Sequence, residues 1–588
     1  MSSESFTPPR ARNQTEVFAV HGADPEILAY AMAKYSRSAL SMRESLTEIS
    51  AQRAEQFLNT FYFQYGHRSI ADLAHMAFAV ERLSLLAAIV LVDEQRWDGQ
   101  ERSTRYQNFL KSGWYLPDFA DDSASAELYS HTVENLFAGY QNTTAAVLEV
   151  LRSRVPRPDS LKPEAYERTL RARAFDVARY LLPLATNTSL GQIVSARTLE
   201  TQVSRLLAHP LAEVRDLGEK LREAATGAAW NVNAQAAQAF VEKLAAFEKS
   251  SQAQGEKFNQ AQSEKFSQAQ GEKSSQAQGE NAAAMKGTGF SPYIGGLKEE
   301  GALAPEGSLA AEAEQLFTRE VRTAPTLVKY AQPNAYEAET RAALGQAAAA
   351  LLNGTPIALT RVVDLVERTE SLEVELAATL LYSVSHHPYR QIRDLVSGLP
   401  GSQVLEIIEL GTRHRGRHDE ALRAFHAGAA LRFDILMDIG GFRDMHRHRR
   451  CTQIVQAFTT RHGYETPASG DLAPGVDILV EAGILSDYRA AIESAHTASA
   501  SIAVAGTAPA AAQSSLYLLP LATRIRGLFK MDFAEAQYIC ELRSGPAGHF
   551  SYRRVAWEMY LALQRQHPAL AKLIRVTDFT QPIDMLQR

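Results

Sequence analysis

The sequence predicts an α+β protein built twice over: two diverged copies of one unit, each a mixed or mostly antiparallel sheet flanked by helices, joined by a disordered low-complexity linker. Three observations predict it. The heptapeptide YLLPLAT stands at Tyr180–Thr186 and again, unchanged, at Tyr517–Thr523. Upstream of each heptapeptide lies a strand-like stretch, HMAFAVERLS from His75 and ALRFDILMD from Ala430, followed by a more helical run and a charged cluster. Between the copies, from Ser251 to Asn281, an octad stutters as SQAQGEKF, NQAQSEKF, SQAQGEKS, SQAQGEN. Such a shared order of features on both sides of one join indicates tandem duplication.

The elements follow in order. Copy one, over 15–245, opens with VFAVHGADPE from Val17, and copy two, over 320–580, opens with TLVKYAQPNA from Thr326. Each reads as a short strand and then a helix started by proline. In ALRFDILMD, Leu431, Phe433 and Ile435 alternate strictly with Arg432 and Asp434, the period of a strand. The join, 246–290, is rich in Gln, Gly, Ser, Glu and Lys and buries too little apolar surface to offset chain entropy, so it reads as flexible. A helical spacer is the alternative, and the repeated Gly weighs against it. For residues 285–325 the sequence leaves both copies, or neither, open.

Bulk properties exclude several classes. A chain of 588 residues needs two or more domains. Apolar content of 45% and charged content of 22% are those of a globular protein. A net charge of −6 and a pI near 6.3 argue against bulk nucleic-acid affinity. No apolar run reaches the roughly 20 residues that cross a bilayer, and MSSESFTPPRARNQTE carries no secretory core. Cys451 and Cys540 stand apart with no CxxC, which fits a cytoplasmic protein without a disulfide framework or cysteine-based metal site.

The charged clusters differ between copies. Copy two has Arg447-His448-Arg449-Arg450, with Arg443 and His446 just upstream. Planar guanidiniums suit phosphate or an anionic ring, whereas a solvated basic helix end is the commoner fate of a charge run. Metal ligation by His446 and His448 is disfavoured by their i, i+2 spacing and by the lack of a completing carboxylate or Cys. Copy one has Asp93-Glu94-Gln95 in the same place, followed by Glu101-Arg102-Ser103-Thr104-Arg105-Tyr106, a set that can hold a small anion. Arg179, and Arg197 with Arg205 eight residues apart on one helical face, add cations that could converge on a cleft.

These residues resemble the flavin-dependent thymidylate synthases, the thymidylate-synthase-complementing family. Its signature runs R-H-R-x-x-S-x-N-E-x-S-x-R-Y, preceded by G-H-x-S and followed by A-R-x-x-L-P and a late L-R…H segment. Copy one is similar at Gly66-His67-Arg68-Ser69, at Glu101-x-Ser103-x-Arg105-Tyr106, at Ala178-Arg179-x-x-Leu182-Pro183, and at Arg197, Arg205 and His209. Copy two is similar at Arg447-His448-Arg449 and at Leu542–His549, but reads Ile454-Val455, Ala457 and Thr459-Thr460 where the signature has Asn-Glu, Ser and Arg-Tyr. The copies have thus lost complementary parts of one signature.

The resemblance implies conversion of dUMP to dTMP with FAD as cofactor, methylenetetrahydrofolate as carbon donor and NADPH as reductant, at a site shared by both copies. It assigns dUMP to Glu101, Ser103, Arg105, Arg179 and Arg205. It assigns FAD to His67, Ser69, Arg197, Arg447, His448 and Arg449, with Arg105 and Arg447 stabilising charge on the uracil ring. Asp93 and Glu94 would repel a second anionic cofactor, leaving one composite site per pair. Ser103 lacks a His–Asp partnership and reads as a binding group. The family's tetramer implies a homodimer of this chain as a pseudo-tetramer, without nucleic-acid, membrane or metal partners. The rival reading is a catalytically degenerate flavin- or nucleotide-binding homologue, or a structural partner of an intact synthase.

Overall fold

A computed structural model describes residues 23–34, 46, 70–120, 122–231, 234–251, 313, 321–328, 331–367, 369–416, 419, 421–468, 471–472, 476–505, 513–582 and 584–586. The chain divides into two compact units, residues 1–226 with 324–588, and residues 227–323. In the smaller unit, residues 234–251 are helical. The rest of the octad join and the stretch from Val17 to Gly22 lie outside the described residues.

The larger unit carries both sheets. After α1 (Pro25–Lys34), copy one runs β1 (His75–Ser84), α2 (Leu85–Leu91), β2 (Asp98–Glu101), α3 (Ser123–Arg154), α4 (Pro163–Ala178), β3 (Asn187–Ser195), α5 (Ala196–Leu207) and α6 (Ala212–Thr226). Copy two first forms α7 (Tyr336–Leu351), β4 (Val363–Leu365), α8 (Leu372–Tyr382), α9 (Tyr389–Ser397) and α10 (Gly401–Leu410). It continues with β5 (Leu431–Asp438), α11 (Ile439–Met445), β6 (Thr452–Val455), α12 (Leu485–Ala505), β7 (Arg524–Met531), α13 (Phe533–Ser544) and α14 (Phe550–Gln566). The sheet orders are β1-β3-β2 and β4-β5-β7-β6, with every pairing antiparallel.

The duplication extends to the helix caps. The four helices that leave a strand start at a short polar side chain accepting an N–H in the first turn. These are Ser84 from Ala87, Ser195 from Thr198, Asp438 from Gly441 and Asp532 from Glu535. Each such cap contributes about 1 kcal/mol. The caps at Ser84 and Asp438 also fix the register: the next strand begins at Asp98 in one copy and Thr452 in the other, at equal spacing. Asp93, Glu94 and Gln95 therefore occupy the places of Arg447, His448 and Arg449.

The repeated heptapeptides meet each other. Leu184 N–H donates to Leu519 O (2.9 Å) and Leu521 N–H to Leu182 O (3.0 Å); Ala185 N–H donates to Tyr517 O (2.8 Å) and Ala522 N–H to Tyr180 O (3.1 Å). Pro183 and Pro520 face each other as an isolated antiparallel bridge. This reciprocal ladder is a pseudo-twofold axis inside one chain. Its leucines are buried in a core continuous between the copies, each contributing roughly 1.5–3 kcal/mol.

Two expectations give way. Residues 326–328 form a turn where a strand was predicted, because the buried Glu26 carboxylate accepts from Thr326 N (2.8 Å) and Leu327 N (2.7 Å). Alternation also ordinarily marks a strand with one wet face, yet β5 is buried on both. The polar residues of its second face are paired: Arg432 with Glu370, and Asp434 with Tyr382 Oη (2.9 Å), Tyr389 N (2.8 Å) and Arg526 (3.0 Å). A second apolar cluster, built on α8, α9 and α10 with Ile454 and Leu528, accompanies them.

Candidate functional site

Copy one's serine–arginine turn packs against the helix of copy two that leads into its Arg-His-Arg segment. Arg443, in the last turn of α11, donates Nη2 to Glu101 Oε2 at 3.1 Å, and both side chains are buried. Arg449 donates to Glu94 O at 3.3 Å and lies 4.7 Å from the centroid of the Trp97 ring. Arg105 is held from both sides. Asp176 on α4 grips it in a fork (Nε–Oδ1 2.7 Å, Nη2–Oδ2 3.3 Å), while Tyr552 Oη (2.8 Å) and Ala547 O (3.1 Å) of copy two accept its remaining bonds. His549 completes the clamp by donating Nε2–H to Asp176 O at 2.8 Å while its Nδ1 accepts from Ser551 N at 3.1 Å. Burial and the Arg179 guanidinium hold that imidazole neutral, well below the ordinary histidine range.

Asp444 is the electrostatic centre. Burial pushes its carboxyl up, but Arg179, Arg447, Arg105 and Arg543 together outweigh burial and leave it below the usual carboxylate range. Arg179 reaches it at 3.6 Å. Arg179 is buried, and its Nε and Nη2 have no partner among the described residues; Glu101 Oε1 and Arg443 Nε are also buried and unpartnered. Arg447 is exposed. Gly441 stands in the first turn of α11 where copy one has Ala87, and a Cβ there would sit 2.6 Å from Ser551 Oγ. Its absence lets Ser551 donate to Asp438, the cap of the same helix. Copy one holds the reverse pair, Ser84 Oγ to Glu213 at 2.7 Å.

His448 accepts from Arg543 Nε at 2.7 Å through Nε2, so its proton sits on Nδ1, 3.4 Å from Glu535. Burial lowers its pKa against the opposing pull of Glu535. The corresponding place in copy one carries a salt bridge, Arg205 to Glu94 at 2.7 Å. Asp93 joins Arg423 (2.5 Å) and His446 Nε2 (3.1 Å). The two carboxylates therefore close this region by pairing with cations, where unpaired repulsion was expected.

The remaining expected site residues fall as follows. Ser103 accepts from Arg105 N at 3.2 Å and shapes the turn. Arg197 pairs with Asp72 (3.1 Å) and Arg205 with Glu94, so neither joins Arg179 at Asp444. His67 and Ser69 lie outside the described residues. Sequence reading passed over Asp176, Asp444, Arg543 and Tyr552; only the late Leu542–His549 segment signalled that region. Among the described residues no group of three or more His, Cys, Asp or Glu could hold a metal ion, and no helix is long and apolar enough to cross a membrane. Burial pushes the Cys451 and Cys540 thiols up to about 12, unsuited to nucleophilic work.

Comparison with known proteins gives the family. The family model described as thymidylate synthase complementing protein matches residues 18–229 and 365–569, well over half of the chain. The chain belongs to that family. Among curated relatives of the thymidylate synthase complementing chain, a UPF0159 protein of Chlamydia muridarum is 26% identical over 95% of this chain and 91% of its own length. UPF0159 protein Ta1429 of Thermoplasma acidophilum is 23% identical over 93% and 94%. A solved flavin-dependent thymidylate synthase ThyX from Helicobacter pylori, complexed with FAD and dUMP, overlaps at 18% identity and a TM-score of 0.23, covering 34% of this chain and 89% of that one. A UMP/dUMP methylase PolB from Streptomyces cacaoi overlaps at 17% identity and a TM-score of 0.25, covering 34% and 84%.

Proposed function

We propose that this chain is a flavin-dependent thymidylate synthase, converting dUMP to dTMP with methylenetetrahydrofolate as carbon donor and NADPH as reductant. One composite site per chain does the work. The observation that carries the reading is the junction at Asp444. There the surviving halves of one family signature, Glu101–Arg105 and Arg447–Arg449, lie on either side of the Arg443–Glu101 pair and Asp444, beside buried donors of Arg179 and a buried acceptor of Glu101 that have no partner among the described residues. Unpaired buried polar groups cost about 1–3 kcal/mol each, and a ligand carrying both anionic oxygens and an N–H would satisfy them. A uracil nucleotide has both.

In this reading Arg179 and Arg447 hold the anionic oxygens of dUMP. Glu101 accepts from a ring N–H and keeps the ring oriented. Arg105, fixed by Asp176 and Tyr552, stiffens the turn and stabilises charge developing on the ring as a preorganised dipole source. His448 and Arg449 hold FAD, which when bound supplies the redox and one-carbon chemistry. His448 presents a neutral ring with a fixed tautomer. Arg205 and Arg197 act through Glu94 and Asp72 to support the flavin side.

A second reading, a flavin- or nucleotide-binding homologue without turnover, draws on one observation: the Arg105 guanidinium is already engaged by protein groups. Purified protein assayed with dUMP, methylenetetrahydrofolate and NADPH separates the two. A yellow protein that forms dTMP supports the synthase. A yellow protein without dUMP-stimulated NADPH oxidation supports the binder, and a colourless one that FAD cannot reconstitute overturns the synthase.

A further inference from the structure

Copy two has lost the Glu-Ser-Arg turn and carries Val455-Gln456-Ala457-Phe458-Thr459-Thr460-Arg461-His462 there. This loop gathers polar groups with nothing to bind. His386 and His387 lie between α8 and α9, and the rings of His386 and His462 stand edge to face, 6.0 Å apart. Gln456 ties in through Nε2, which donates to His387 O at 3.0 Å. Arg526 on β7 spends Nη1 on Asp434 (3.0 Å) and Nη2 on Thr360 Oγ1 (3.1 Å). What remains is unsatisfied: His386 Nδ1, His387 Nδ1, His462 Nε2, Gln456 Oε1 and Arg526 Nε are all buried without a partner among the described residues. Gln456 and Arg526 are each only 2% exposed, so water reaches neither freely.

The charges around the group are Arg461, which is exposed, Arg526 and the three imidazoles, with Asp434 already held by Arg526, Tyr382 and Tyr389. Burial, Arg526, His386 and Arg461 push His462 down to about 4, and burial, Arg461 and His387 push His386 down. Both rings are therefore kept neutral, chiefly by burial, and the nearby Arg461 and Arg526 guanidiniums add a positive potential that an anion would relieve.

The donor pattern narrows the anion. His387 Nε2–H donates to Thr355 O at 3.0 Å, which leaves Nδ1 as the nitrogen free to accept. Gln456 Oε1 is also an acceptor. An oxyanion that fits must accept from the Arg526 Nε–H and the guanidinium of Arg461 and also donate one O–H. We propose that His386, His387, Gln456, Arg461, His462 and Arg526 form a second ligand site for a protonated phosphate group, separate from the composite site at Asp444. Sulfate carries no proton at neutral pH and leaves the acceptors facing bare oxygens, and such buried mismatches are rejected strongly.

The test is calorimetric titration of the full chain, carried out in an Arg447→Ala background so that the Asp444 site does not contribute. Inorganic phosphate is expected to bind at one per chain, with sulfate at least about tenfold weaker. Adding Arg461→Ala, a surface change that leaves the core intact, or His462→Ala should weaken phosphate about tenfold or more. Glycerol phosphate as a third probe assigns the source: equal affinity indicates the end of a phosphate monoester, weaker affinity free phosphate. Equal binding of phosphate and sulfate, no phosphate binding, or affinity unmoved by both substitutions would overturn the site.

Discussion

Arg443 of copy two and Glu101 of copy one form a buried ion pair, Nη2 to Oε2 at 3.1 Å, across the junction of the two repeats. Each retains one buried atom without a partner among the described residues, Arg443 Nε and Glu101 Oε1. In the proposed function these two atoms are the ones that the nucleotide would satisfy.

Glu101→Gln should lower stability by about 3 kcal/mol, because it leaves a buried guanidinium uncompensated. It should also weaken dUMP binding at least about tenfold. Replacing both partners, Glu101→Leu with Arg443→Met, should recover most of the stability but none of the affinity. Urea unfolding and dUMP titration on the three variants check this; recovered affinity in the double variant would remove Glu101 from the site.

Asp176 carries no role in the sequence signature yet holds Arg105 in a two-bond fork. Asp176→Ala should cost about 3–5 kcal/mol, the usual result of stranding a buried charge, and Asp176→Asn distinctly less. Thermal unfolding of the two variants measures the difference. Equal, small losses would mean that Tyr552 and Ala547 suffice to hold Arg105.

Asp93 gives a pH dependence of known sign. Burial raises its carboxyl, Arg423 and His446 lower it further, and the net result lies well below the usual range. A carboxyl depressed on folding contributes stability above its unfolded pKa, about 3.9, and loses it as pH falls through the folded value. Its side chain is 39% exposed, so screening limits the contribution to about 1 kcal/mol. Asp93→Asn should therefore be less stable at pH 7, with the gap to the parent shrinking as pH falls below about 3.9 in urea unfolding. An undiminished gap at the acid end would contradict the assignment.

The two cysteines should resist modification. With both thiols buried and pushed up to about 12, a disulfide reagent at pH 8 should label neither in the native protein and both after denaturation. Rapid labelling of Cys451, which bonds to His448 O at 2.9 Å, would show that the Arg-His-Arg segment opens.

Much of this was legible in the sequence, for physical reasons. β1 and β5 were visible because apolar period and flanking punctuation agree, and the YLLPLAT repeats were visible as identity. Their pairing with each other was not, since identity announces duplication but says nothing about which surfaces meet. The complementary losses pointed to the two segments belonging together, but not to Arg443, which is the residue that pairs with Glu101. Asp176 and Asp444 stayed hidden because a single carboxylate in a helix ordinarily faces water, and only tertiary packing makes it an anchor. Arg197 and Arg205 share a helical face as their spacing required, but the partners waiting there, Asp72 and Glu94, come from other segments.

The central claim is one composite site per chain. Equilibrium dialysis of purified, flavin-loaded protein against labelled dUMP tests it most directly. The account requires one dUMP per chain, abolished by Glu101→Ala in copy one and by Arg447→Ala in copy two alike. Two nucleotides per chain, or binding that survives either substitution, would contradict it.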